Sequence, residues 1–326
     1  MSLLIGGIAL DAPLCLAPMA GVTSMPVREL FARLGAALVH TEMVSCAGLV
    51  RDNGKTSSML RLSPSEGPVV LQLFASDAST LLAGAERALD IVRREGWPSF
   101  AALGINMACP MPKVTKRGAG SALLRAPGEA RSMVHALKGL GLPVWAKIRR
   151  TEDAEATLRF IEGLAEAGAD SVCLHGRTPA QRYEGRADRQ IVAAAAARFP
   201  GLIAASGDVR AASDVTELLD MGCALVMLAR GAMADPWLFP RALHELGRDV
   251  PREMLAPSPG DRARALRELG ERAREVLGER QGVVLTKRIM GGLLKGMAGA
   301  AELRCRAGSA RDLDELMGIL DEMTHA

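Results

Sequence analysis

Aromatic side chains are scarce. Phenylalanine, tryptophan and tyrosine make up 3 % of the 326 residues, and Tyr183 is the single tyrosine, so binding by stacking on many exposed rings is not expected. The six cysteines (Cys15, Cys46, Cys109, Cys173, Cys223, Cys305) stand singly, with no CxxC pair and no Cys–His spacing of the zinc-binding kind. Reduced thiols follow, and a structural metal does not. No apolar run approaches the ~20 residues of a membrane-spanning helix, and no basic leader with an apolar core precedes a cleavage site, so a cytoplasmic location is expected. A net charge of +3 is too small to announce a polyanionic partner. With 49 % apolar and 24 % charged residues, the chain has the composition of an ordinary globular protein.

What is present is a repeat. Eight apolar or β-branched runs occur at 14–21, 37–44, 68–75, 102–109, 144–150, 171–178, 202–209 and 225–232. Each ends in glycine, proline or a polar cluster and gives way to a longer stretch of helical period. Segments such as 157–169 and 212–224 carry leucine and isoleucine three or four residues apart. No G-x-G-x-x-G follows the first run, which argues against an open dinucleotide-binding sheet. The expected architecture is α/β, a (β/α)8 TIM barrel over residues 1–240. The segment 251–261 breaks all periodicity and reads as a linker. From Arg262 to Arg306, eleven lysines and arginines face five glutamates, and an acidic amphipathic stretch follows. A small C-terminal all-helical domain over 241–326 is therefore expected. Its basic part is either a solvated face with i,i+4 pairs or a grip on a polyanion.

In a barrel of this kind the reacting groups lie at the carboxyl ends of the strands. Those ends carry Pro18, Met19 and Ala20; Thr41 and Glu42; Gln72; Asn106 and Cys109; Lys147 and Arg149; His175 and Arg177; Ser206, Gly207 and Asp208; and Arg230 and Gly231. Folding alone gives no reason to collect Gln, Asn, Lys and His there. Gly207 and Gly231 fall in the loops after strands seven and eight, where this architecture most often holds a phosphate on backbone N–H groups. Lys147 lies in an otherwise apolar strand and must find an anion or a polar ligand in the barrel mouth, or serve as a Schiff-base nucleophile. His175 taken alone reads equally as a satisfied core histidine. Cys109 lies just past a strand end, and the glycine-rich loop after it, with Lys113, Lys116 and Arg117, is too polar to pack into a core.

Taken in order, APMAGVTSMPVREL, QLFAS, NMACPMPKVTKRGAGSALL, AKIR, LHGRT, SGDV and ARGAMADPWLF resemble the tRNA-dihydrouridine synthases, nearest their bacterial B-type branch. LTKRIMGGLLKGMAGAAELR is similar to that family's C-terminal helical domain. The resemblance implies an FMN cofactor. Pro18, Met19 and Ala20 would line the isoalloxazine edge, Gln72 and Lys147 its polar rim, and His175 the ring or phosphate region. Ser206, Gly207, Asp208, Ala229, Arg230 and Gly231 would hold the ribityl phosphate. It further implies NADPH as reductant, tRNA as partner with rRNA as the alternative, and neither a metal nor an obligate protein partner. Reduction at C6 of a uracil leaves C5 in need of a proton. Cys109 is the expected donor, because a thiol of ordinary pKa ~8.5 is protonated at neutral pH yet acidic enough to give its proton up. Asn106 is expected to hold the uracil by two amide hydrogen bonds. Lys113, Arg177, Arg182 and the Arg-rich helices are expected to contact phosphates around a base drawn out of its stack. Ala108, Ser206 and Ala229 depart from the family pattern, and 290–296 lacks its aromatics. The alternative, an FMN-dependent barrel reductase of a small molecule, has no use for a basic helical appendage.

Overall fold

The computed structural model describes residues 2–324. The chain opens with an antiparallel hairpin, β1 (Leu3–Ile5) and β2 (Ile8–Leu10). The remaining strands are parallel: β3 (Leu14–Leu16), β4 (Val39–His40), β5 (Val44–Ser45), β6 (Val69–Phe74), β7 (Ala102–Met107), β8 (Val144–Arg149), β9 (Ser171–His175), β10 (Ile203–Ser206) and β11 (Leu225–Leu228). β4 and β5 are two halves of one stave, since both pair with β6. The Leu16 N–H to the Leu38 carbonyl (2.9 Å) and the Ala37 N–H to the Leu14 carbonyl (3.1 Å) close the ring. Each of the eight runs read from the sequence holds one stave, so the barrel follows from the repeat.

Period-two alternation along the staves decides what faces inward. Leu103, Ile105 and Met107 of β7 and Val144, Ala146 and Ile148 of β8 pack outward against the helices. Inward lie Ala102 and Trp145 low in the barrel, with Asn106 and Lys147 register partners one layer up. The lower interior is apolar and sealed. Ile5, Ile8 and Leu10 of the hairpin close the floor against Cys15, Val70, Trp145 and Met227, and the Trp145 indole N–H donates to the Gly6 carbonyl at 2.9 Å. The upper interior is polar and open.

Local signals place the outer helices. Ala78–Glu95 starts where Asp77 accepts the Thr80 N–H at 2.8 Å and stops at Gly96 in the left-handed region. The last barrel helix, Leu238–Glu245, packs on Ala212–Asp220 and places Phe239 against Phe31, ring centroids 5.6 Å apart. It runs across position 240, so a boundary there cuts a helix. The expected linker at 251–261 also needs correction, because the next helix already begins at Pro259, with Ser258 and Asp261 forming a capping box. Proline at the first helical position favours a start, and in the sequence it looks like a break.

The C-terminal helices are Pro259–Leu277, Glu279–Leu293, Ala300–Ser309 and Leu313–Thr324. Their buried residues share one apolar core with the outer barrel layer. Arg272 pairs with Glu29 at 2.8 Å, Arg33 with Glu268 at 2.9 Å, and Arg61 donates to the Val276 carbonyl at 2.7 Å. Among the described residues no helix is long and apolar enough to cross a membrane.

Candidate active site

A cavity of about 590 Å³ opens at the carboxyl ends of the staves, within the ~300–1,000 Å³ typical of ligand sites. It is lined by Pro18, Met19, Ala20, Gln72, Asn106, Cys109, Lys113, Lys147, His175, Ser206, Gly207, Asp208, Ala229, Arg230 and Gly231. Of the candidates read from the sequence, Thr41, Glu42, Lys116, Arg117, Arg177 and Arg182 are not on that wall.

One wall is a polar relay from the second stave to Cys109. Between β4 and β5 the stave breaks, and Thr41 Oγ1 accepts the Gln72 N–H at 2.9 Å. Gln72 Oε1 accepts from Asn106 Nδ2 at 2.9 Å. Asn106 Oδ1 accepts two backbone N–H groups, Ala108 at 3.2 Å and Cys109 at 2.9 Å. Asn106 therefore builds the turn that presents Cys109. With its oxygen used twice and one N–H given to Gln72, it has one N–H left and not the two-bond amide edge expected for a uracil. Gly120, at φ +62°, backs the same turn, and a Cβ there would sit 2.6 Å from the Cys109 carbonyl. Cys109 is partly exposed in the cavity, whereas Cys15, Cys46, Cys173 and Cys223 are buried and Cys305 lies on the surface. Burial pushes the Cys46 thiol up to about 12 and the Cys223 thiol up to about 11.

The adjoining wall is cationic. Lys147 Nζ lies 3.3 Å from Ser206 Oγ. Beside it, burial and then the charge of Lys147 lower the His175 imidazole to about 2, so the ring is neutral at working pH. Arg177 Nη1 lies 3.3 Å from His175 Nε2. A guanidinium only donates, so Nε2 accepts and Nδ1 carries the hydrogen. Arg177 is 1 % exposed. Its other N–H groups go to the Glu184 carbonyl (3.0 Å), the Gly185 carbonyl (2.7 Å) and both Asp208 oxygens (2.8 and 2.7 Å). The expected phosphate contact at Arg177 is thus corrected: it is a buried tie joining His175, the 184–187 loop and Asp208. Asp208 sits in the left-handed region at φ +51°, a costly conformation for a non-glycine residue, held by Arg177 and by the Ala187 N–H at 2.8 Å. Burial pushes its carboxyl up, but the Ala187 and Arg177 hydrogen bonds outweigh that and keep it below its ordinary value.

Two glycines let backbone form this wall. At Gly207 (φ +117°) a Cβ would come within 2.8 Å of Ala187 and of the His175 ring. At Gly231 it would overlap the Val209 carbonyl. Arg230 stands beside them, its guanidinium 5.0 Å from the centre of the Tyr183 ring. Small residues, backbone and cations converge here as an oxyanion requires.

The dihydrouridine synthase (Dus) family model matches residues 15–325. The chain belongs to the dihydrouridine synthase family. A probable tRNA-dihydrouridine synthase of Mycobacterium tuberculosis is 33 % identical over 99 % of this chain and 85 % of its own length. The tRNA-dihydrouridine synthase B of Pseudomonas aeruginosa is 31 % identical over 95 % of this chain and 92 % of its own. Among solved structures, a morphinone reductase mutant in complex with tetrahydroNAD superposes with a TM-score of 0.52 at 14 % identity, covering 80 % of this chain and 92 % of that one. That likeness is one of fold.

In this dihydrouridine synthase the cavity wall also includes residues to which the sequence assigned no role. Arg149 is 2 % exposed, bonds the Ala108 carbonyl at 2.9 Å and the Thr178 carbonyl at 3.0 Å, and carries Tyr183 5.6 Å from its guanidinium. The inward position at a strand end was its signal. Met43 and Tyr183 also line the cavity, and neither sits in a pattern that marks it.

Much of the basic charge of the helical region is spent inside the protein. Arg267 pairs with Asp321, Arg272 with Glu29 and Glu275, and Arg274 with Asp314. Lys287 donates to the Gly308 (3.1 Å) and Ala310 (2.6 Å) carbonyls. The expectation that the whole Arg-rich stretch grips phosphate is corrected accordingly. Lys113, Lys116, Arg117, Arg182, Arg280 and Arg304 are exposed.

Proposed function

We propose that this dihydrouridine synthase reduces the C5–C6 bond of uridines in tRNA, with FMN as its bound cofactor, NADPH as reductant and Cys109 as proton donor. A single cavity carries the reading. It joins a partly exposed thiol to a cationic wall whose glycines leave room for a phosphate. The residues fit a flavin mononucleotide. Gly207, Gly231 and Arg230 would hold its phosphate, Gln72 and Lys147 the polar rim of its ring, and Pro18, Met19 and Ala20 an edge. Bound there, the flavin supplies a hydride for C6 of the uracil. Lys147 stabilises negative charge beside the ring. His175, neutral and fixed in one tautomer by Arg177, donates a hydrogen bond without adding a charge. Cys109 gives its Sγ proton to C5, and Asn106 sets the turn that aims it. The exposed cations around the mouth, Lys113 with Lys116 and Arg117, contact the backbone of an RNA whose target base has left its stack. Such a substrate places the enzyme in the cytoplasm.

The deciding experiment is Cys109→Ala. Reduction of bound flavin by NADPH should proceed at the wild-type rate, while dihydrouridine formation in tRNA falls by roughly 10²–10⁴, the usual share of a general acid. Undiminished product would remove Cys109 from the mechanism, and a purified protein that takes up no flavin would remove the cofactor.

A further inference from the structure

The helix Glu279–Leu293 touches the barrel at two of the loops that line the cavity. Its Arg288 donates to the carbonyl of Gly21, and Gly21 directly follows the lining residues Pro18, Met19 and Ala20. One turn on, Gly292 lies so close to Met233 that a side chain would overlap the Met233 carbonyl. Met233 belongs to the turn Arg230–Ala234, which carries the lining residues Arg230 and Gly231. Lys295 then reaches Asp235 at 3.2 Å. β3 and β11 are neighbours in the barrel, so one helix from outside it spans a whole side of the mouth.

The Gly21 contact is shaped for its partner. Gly21 has φ +70°, and a Cβ there would lie 2.5 Å from Arg288 Nη1. Its N–H is taken by the Glu42 carboxylate. The Met19–Ser24 turn is tied internally, with the Val22 and Thr23 N–H groups both 3.0 Å from the Met19 carbonyl, and Arg28 donates to the Thr23 carbonyl at 2.8 Å. The Gly21 carbonyl takes its donor from another unit of the fold. Arg288 directs its guanidinium to this neutral oxygen at the lip of the cavity.

We propose that Arg288 is a positioning residue that holds the 18–24 lip in place, so that the helical unit sets the shape of the cavity as well as serving RNA. The lip's ligand rests on the flavin reading above; the lip itself does not. The test uses the full chain as wild type, Arg288→Ala, Arg288→Lys and, as a control inside the helical unit, Arg274→Ala. In flavin-free protein, Arg288→Ala should speed amide hydrogen exchange across 18–24 at least tenfold, and its dissociation constant for added FMN should rise at least fivefold. Arg288→Lys, which keeps one donor, should recover most of both, and Arg274→Ala should move neither. Arg288→Met, which keeps the side-chain stem and removes the donors, should reproduce the Arg288→Ala pattern even where that variant folds poorly. Unchanged exchange and FMN binding would overturn the proposal. So would an effect confined to tRNA affinity with a salt slope lowered by about one, the mark of a phosphate contact. Faster lip exchange in a protein that takes up no FMN would uphold the positioning role and refute the flavin reading.

Discussion

Two buried histidines give the protein a defined acid response. His40, 3 % exposed, is lowered to about 4 by burial, and His175 to about 2. Both are held neutral when folded, while the unfolded imidazole titrates near ~6.5. Their contribution to stability is full above that value and is lost as pH falls below it, because the unfolded chain takes up protons that the fold refuses. Each refused proton tilts stability by about 1.4 kcal/mol per pH unit within this window. The melting temperature should therefore fall between pH 7 and 5, and His40→Gln, though less stable at pH 7, should flatten that slope. An unaltered slope would assign the acid response to other groups. At this scale the sequence showed where Gln72, Asn106, Lys147 and His175 lie, because strand-end position and inward parity can be read from a period of two. It did not show what each side chain was already bonded to. Arg177 and Asn106 looked like ligand groups until their partners were visible, because the bonds they make to Gln72, Asp208 and the backbone of nearby turns depend on how the chain folds back and not on spacing.

Among the elements, the N-terminal hairpin was hidden. Strands of three residues are too short to display alternation, and Ile5, Ile8 and Leu10 show themselves as a barrel floor only once Trp145 is seen above them. Trp145→Phe should cost about 1 kcal/mol in urea unfolding by removing the bond to the Gly6 carbonyl. Trp145→Ala should cost ~3–5 kcal/mol by leaving a cavity over the floor. Equal losses in the two variants would show that the ring's volume contributes nothing. At the mouth, Gly207→Ala would set a methyl against Ala187 and His175 at a φ of +117°. FMN affinity should fall at least tenfold by fluorescence titration, and an unchanged affinity would exclude this loop from the cofactor site.

Across the whole molecule, the barrel was legible because its eight units repeat, and the helical region because its polarity shifts at Arg262. The division of labour among its cations was not legible, since pairing with Glu29, Asp314 or the Gly308 carbonyl joins segments that composition cannot connect. Charge therefore has to be assigned by partner. Replacing Lys113, Lys116 and Arg117 together with alanine should lower the salt slope of tRNA binding by roughly two to three, near 0.7–0.9 per lost phosphate contact. Arg272→Ala should leave the slope intact and lower the melting temperature by loosening the helix Pro259–Leu277 from Glu29.

The placement of sulfur has a practical side. Four of the six thiols are sealed in the interior, and only Cys109 and Cys305 meet solvent. A chain carrying Cys305→Ser offers a maleimide dye one attachment point, located at the entrance through which a nucleobase would pass, and shielding of that point reports directly on whatever occupies the doorway.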